Sequence, residues 1–123
     1  MSVIGVGLDA VEISRFRRVL ARTPGVATRL FTEAERAYAD RRRDPTQPLA
    51  ARFAAKEAVM KAMGVGIGAF GWHDVEVARH ESGEPELVLR GRAAALAGER
   101  GISGWRLSMT HTDSTASAVV IAV

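Results

Sequence analysis

The 123-residue chain has no cysteine. Disulfides, thiolate nucleophiles, iron–sulfur clusters and cysteine-based zinc sites are therefore excluded. Lysine is almost missing too: of 17 basic residues only Lys56 and Lys61 are lysine. Aromatic residues make up 6% and do not interleave with the arginines. That pattern lacks the stacking platform of a single-strand nucleic-acid groove. No apolar run approaches bilayer length. The opening segment has no basic leader, and Asp9 and Glu12 interrupt its apolar run. The expectation is no secretory signal, a cytoplasmic location and no membrane partner. A Walker ending is missing, as is any trustworthy Ser/His/Asp order for acyl hydrolysis.

Hydrophobic residues at 47% and charged residues at 25% fit one globular domain over residues 1–123. The net charge of +3 is unevenly spread. Ten arginines lie between Arg15 and Arg52, against Glu33, Glu35, Asp40 and Asp44. Such a block attracts phosphate, nucleic acid or an acidic protein, or is simply a solvated helical surface.

Val3 to Asp9 reads as a strand in which Ile4, Val6 and Leu8 alternate with Gly5, Gly7 and Asp9. Asp9 then projects away from the apolar set, and the glycines permit close approach of another backbone or a ligand. Ile13, Phe16, Val19 and Leu20 repeat at helical spacing until Thr23-Pro24-Gly25. Thr32 and Glu35 form a capping box for a second helix. A long alanine-rich helix is expected from Gln47 to Met63, stopped by Gly64. A glycine-rich loop, 64–71, follows. The second half reads as a hairpin turning at 82–85, a short helix over 91–100, a strand from Trp105 to Thr110 and a final strand from Ala116 to Val123. That final strand is apolar nearly throughout, which predicts burial on both faces or at a subunit contact. The fold class is α+β.

The chemistry concentrates around the long helix. Glu57 shares a face with Phe53, Met60 and Lys61. Arg52 neighbours Lys56, and like charges at that spacing repel unless an anion lies between them. Asp9 on the first strand and Glu57 on the helix form a carboxylate pair suited to a hard cation with an open shell for water and phosphate oxygens. Thr110, His111 and Thr112 place hydroxyls around an imidazole, a combination able to hold phosphate. Metal, cations and a positioned nucleophile are what phosphoryl-type transfer needs.

Gly5-Val6-Gly7-Leu8-Asp9, Phe31-Thr32-Glu33-Ala34-Glu35, Arg52-Phe53-Ala54-Ala55-Lys56-Glu57-Ala58, Lys61-Ala62-Met63-Gly64 and Thr110-His111-Thr112 together resemble the short, trimeric holo-acyl-carrier-protein synthases among the 4′-phosphopantetheinyl transferases. The resemblance runs the length of the chain, in order. It implies a mainly antiparallel sheet packed against the long central helix. It also implies transfer of the phosphopantetheine arm of coenzyme A to a serine of apo acyl carrier protein, releasing adenosine 3′,5′-bisphosphate. By resemblance Mg²⁺ is held by Asp9 and Glu57, and Lys61 contacts the phosphates. Arg52, Gly64, Gly66, Thr110 and His111 line the coenzyme A pocket. Arg15, with Arg22, meets the acidic recognition helix of the carrier protein. The short members are similar in forming homotrimers with active sites at subunit interfaces. Glu57 and a water on the metal both stay open as acceptor of the serine proton. The stretch from Asp40 to Pro48 departs from the family pattern and carries no expected carrier contact. Two rivals, a basic nucleic-acid-binding module and a non-catalytic coenzyme A-binding regulator, rest on the arginine block and the phosphate-type residues alone.

Overall fold

Two glycines set how the sheet meets the central helix. A computed structural model describes residues 2–123. In it, strand β1 (Gly5–Glu12) lies directly on helix α4 (Thr46–Met63). A Cβ built on Gly5 would stand 1.9 Å from the Ala62 carbonyl oxygen, and one on Gly7 1.8 Å from that of Ala58. Only glycine tolerates that approach. The glycine face of β1 therefore turns inward. Val6 and Leu8 turn outward, with 57% and 63% of their surface exposed.

Between β1 and α4 the chain forms α1 (Ile13–Arg22), α2 (Val26–Leu30) and α3 (Glu33–Asp40). After α4, a 3-10 turn at Trp72–Asp74 leads into β2 (Val75–Arg79) and β3 (Pro85–Leu89). Helix α5 (Gly91–Glu99) and strands β4 (Trp105–His111) and β5 (Thr115–Ala122) complete the chain. The sheet is in two pieces, a three-stranded β1–β5–β4 sheet and the β2–β3 hairpin. Every pairing is antiparallel.

Helix α4 is the hub. It opens with Asp44 Oδ1 accepting from the Thr46 amide at 3.0 Å, and Pro48 stands in the first turn, where its missing N–H costs nothing. It closes at Gly64, φ 69°. There the Val65 amide donates to Met60 O and the Gly64 amide to Lys61 O, the paired bonds of a Schellman motif. Alanines around most of its circumference are buried, so α4 is packed on several sides. The sheet, β2–β3 and α5 cover one part. Helices α1 to α3 cover its N-terminal half, where Ile13, Phe16, Phe31 and Leu49 gather.

Thr32 caps α3 as its sequence predicts. Its hydroxyl accepts from the Glu35 amide, and Glu35 Oε1 accepts from the Thr32 amide. Glu35 does more than cap. It is 1% exposed, lies 2.7 Å from the Lys56 ammonium, and accepts from the Val77 amide. Lys56 also donates to Trp72 O and Val75 O. The anion that compensates Lys56 is thus a buried carboxylate of the chain itself.

Three expectations shift. β1 runs past Asp9 to Glu12, and α1 starts directly after it at Ile13. The five-residue α2 carries no periodic signal and was not expected. For β5 the first of the two alternatives fails within one chain: Ala116, Ala118, Val120 and Ala122 pack inward, while Val119 and Ile121 are only half-buried, and the alternative of a subunit contact stays open. Val119 and Ile121 pair with Leu8 and Val6, which gives the three-stranded sheet an apolar outer face. Among the described residues, no helix is long and apolar enough to cross a membrane.

Candidate active site

The period of β1 carries Asp9 onto the same inward face as Gly5 and Gly7. The backbone contact at those glycines brings the exposed edge of α4 to the Asp9 carboxylate. Lys61 Nζ lies 3.0 Å from Asp9 Oδ1 and donates to Leu8 O at 2.9 Å. Glu57, one turn earlier on α4, is near enough to Asp9 for the two carboxyls to influence each other. Helical spacing alone predicts a Lys61–Glu57 pair, but the lysine crosses to the strand instead.

Burial pushes the Glu57 carboxyl up to about 6, with the Asp9 charge and hydrogen bond adding to the rise and Lys61 opposing it. Two carboxylates held this close repel unless a proton or a cation lies between them. This fits a divalent cation. Among the described residues no cluster of three or more acidic, histidine or cysteine side chains occurs. Asp9 and Glu57 are the two carboxylates that could hold a hard cation here, with most of its shell left to water or phosphate oxygens.

Glu57 also faces a cavity of about 490 Å³ bounded by Arg15 and Phe16 of α1, Arg29 of α2, and Phe53 and Trp72. Phe53 stacks on Phe16 and leans on Trp72, both at 5.3 Å between ring centroids. The result is an apolar bowl whose rim carries Arg15 and Arg29 beside the acids Glu12 and Glu57. Arg22, the last residue of α1, is exposed and off this cavity.

A second cavity of about 300 Å³ brings together Arg52, Thr110 and His111, joined by Tyr38, Arg42 and Arg79. No acidic residue lines it. Arg52 is 2% exposed. Its guanidinium lies 4.3 Å from the Tyr38 ring centroid, Nη1 donates to Pro48 O, and Nε has no partner. Burial, then the Arg79 charge, lowers its pKa. The Arg79 guanidinium lies 4.8 Å from the same ring. Cations concentrated here without a carboxylate suit an anion with several acceptor oxygens. Gly64 and Gly66 border neither cavity; Gly64 caps α4 one turn beyond Lys61.

Arg29, Arg42 and Arg79 were not among the sequence candidates. Arg79 had a signal. On β2 it continues the series Val75, Val77, whose side chains are buried, so a cation at the next like-facing position is anomalous.

A family model described as the 4′-phosphopantetheinyl transferase superfamily matches residues 5–121. A holo-[acyl-carrier-protein] synthase of Streptomyces avermitilis is 51% identical over 122 residues, covering 99% of this chain and 98% of the relative. The crystal structure of the Neisseria meningitidis holo-[acyl-carrier-protein] synthase superposes with a TM-score of 0.88 at 33% identity, covering 99% of both chains. The ACPS–CoA complex of Chronobacterium ammoniagenes gives 0.87 at 29% identity, covering 99% of this chain and 97% of its own. The chain belongs to the 4′-phosphopantetheinyl transferase superfamily, within its holo-acyl-carrier-protein synthases.

Proposed function

We propose that this chain, acting as one domain over residues 1–123, transfers the 4′-phosphopantetheine arm of coenzyme A to a serine of apo acyl carrier protein, in a Mg²⁺-dependent reaction. The observation that carries the reading is the meeting of Asp9, Glu57 and Lys61 at one point of the fold. The relative solved as a CoA complex supports coenzyme A as co-substrate. Its terminal 3′-phosphate is matched by the acid-free cavity of Arg52, Arg79 and His111. Its pyrophosphate is matched by Lys61. Gly64 ends α4 one turn beyond that lysine, and Gly66 follows it in the loop.

Asp9 and Glu57 would hold the cation, which supplies charge neutralisation on the pyrophosphate. The serine Oγ attacks the β-phosphorus in line. One P–O bond forms to Oγ, the bond to the adenosine bisphosphate oxygen breaks, and the Oγ proton passes to the Glu57 carboxylate or to a water beside it. Lys61 stabilises charge on the leaving phosphate. His111 orients coenzyme A and takes no proton. The bowl beside Glu57, rimmed by Arg15 and Arg29, receives the acidic carrier helix, with Arg22 extending the positive field.

The exposed apolar face made by Val6, Leu8, Val119 and Ile121 supports self-association, because a patch this apolar seeks a partner, and the family resemblance makes that assembly a homotrimer. Leu8 adjoins Asp9 in the chain, so an interface there borders the active site. Cytoplasmic fatty-acid biosynthesis is the matching setting, and nucleic acid has no part in it. The test is the mass of apo carrier protein after incubation with this chain, coenzyme A and Mg²⁺. A phosphopantetheine-sized gain is expected, and Asp9→Ala or Glu57→Ala removes it. An unmodified carrier with the unaltered chain overturns the reading.

A further inference from the structure

Lys61 is bonded where a cation would sit. Its ammonium is shared by Asp9 Oδ1 and Leu8 O, two oxygens of the type a hard divalent ion selects. Among the described residues, Asp9 has no other ion pair and Glu57 has none. The lysine side chain is 54% exposed, while that of Asp9 is 13% exposed. The acid is therefore fixed and the cation is free to leave. A lysine swings on a flexible four-carbon stem, with rotatable donors that suit many geometries. A divalent ion and an ammonium on one carboxylate oxygen repel strongly at such separations.

We propose that Lys61 is the resident counter-ion of the Asp9–Glu57 pair and that a divalent cation displaces it toward the phosphates of coenzyme A. Cation and co-substrate then bind cooperatively through this one side chain. The displacement stands on the Lys61 contacts alone; the destination rests on the function proposed above. With no phosphate to receive it, Lys61 competes with the cation, and affinity for metal alone is held down. With coenzyme A bound, the same lysine leaves Asp9 at little cost and grips the pyrophosphate. Losing the lysine thus has opposite effects on the two ligands. A lysine that only contacts phosphate would leave cation binding unchanged.

The test is a Mn²⁺ titration of the full chain without coenzyme A, read by the electron paramagnetic resonance of free Mn²⁺. Lys61→Met is expected to bind Mn²⁺ about tenfold tighter than the unaltered chain, and Lys61→Arg to stay within about threefold of it. Arg15→Met removes an equal charge from the Glu57 cavity without touching Asp9, and is expected to change affinity less than about threefold. In calorimetry, Mn²⁺ should tighten coenzyme A binding more in the unaltered chain than in Lys61→Met, where only the cation's own attraction for the pyrophosphate remains. Equal or weaker Mn²⁺ binding by Lys61→Met, or an equal gain in Arg15→Met, overturns the inference. If carrier protein is loaded normally while Mn²⁺ affinity ignores Lys61, the inference alone falls. If Lys61→Met tightens Mn²⁺ but the unaltered chain binds no coenzyme A, the counter-ion role stands and the proposed function falls.

Discussion

Glu57→Gln should make the metal-free protein more stable and the enzyme almost inactive. The carboxyl titrates at about 6 instead of 4.5, because burial and Asp9 both disfavour its charge. The folded chain thus binds this proton more tightly than the unfolded chain does. Between those two values the folded state carries more protons, so stability falls as pH rises and the loss is complete above about 6. The full shift corresponds to roughly 2 kcal/mol at about 1.4 kcal/mol per pH unit. Glu57 is only partly buried and solvent screens it, which reduces the figure to about 1 kcal/mol. Glutamine keeps the shape and removes the charge, and Lys61 retains its bonds to Asp9 and Leu8. In EDTA at pH 8 the variant should gain about 1 kcal/mol. With an unfolding entropy of about 2.1 cal/mol/K per residue over 123 residues, that is about 4 °C in Tm. At pH 4, where both side chains are neutral, the two melting curves should coincide. Thermal melts at several pH values, beside a carrier-loading assay, test both halves. A variant no more stable than its parent at pH 8, or a gap that does not vary with pH, refutes the repulsion on which the cation assignment rests.

Gly7→Ala forces a methyl into the Ala58 carbonyl oxygen and should cost about 3 kcal/mol or more, read by urea unfolding. Lys56→Met strands the buried Glu35 carboxylate and should cost about 3–5 kcal/mol, much of it recovered when Glu35→Gln is added; an additive double variant would deny the pair its coupling. Arg79→Ala should raise the KM for coenzyme A about tenfold while leaving the KM for carrier protein unchanged, and dephospho-coenzyme A should be indifferent to the change.

What could be read from the chain was local. Thr32 and Glu35 announce their capping box because both partners lie within one helical turn, and Gly64 announces the end of α4 because a left-handed residue there favours glycine. Asp9 stood out as an acid after glycines, and Glu57 as a carboxylate among apolar neighbours. Long-range pairing was hidden. Lys56 sits beside Glu57 in sequence, yet its partner is Glu35 on another helix. Lys61 has Glu57 one turn away, yet it bonds Asp9 from across the fold. Helical spacing predicts which side chains share a face, but the nearest strong acceptor on another element decides which contact forms. Residues 26–30 were unreadable as a helix because five residues complete barely one turn and show no period.

The apolar face of β1 pointed the wrong way for a simple reading. Alternation marks two faces but does not say which one is the core. Here the side-chain-free face packs, because α4 presents alanines and the two backbones can touch. The side-chain-rich face is left exposed. One arrangement thereby answers two needs. Close approach at Gly5 and Gly7 brings Glu57 and Lys61 to Asp9, which no strand carrying side chains at those positions would allow. The displaced valine and leucine form an exposed apolar surface. The glycines are thus as necessary to the site as the acids, although they bring no side chain to it. Their replacement should reduce transfer in proportion to the separation it forces between β1 and α4. A Gly7→Ala protein that stayed folded with full transfer would mean that the acids find each other by some other route.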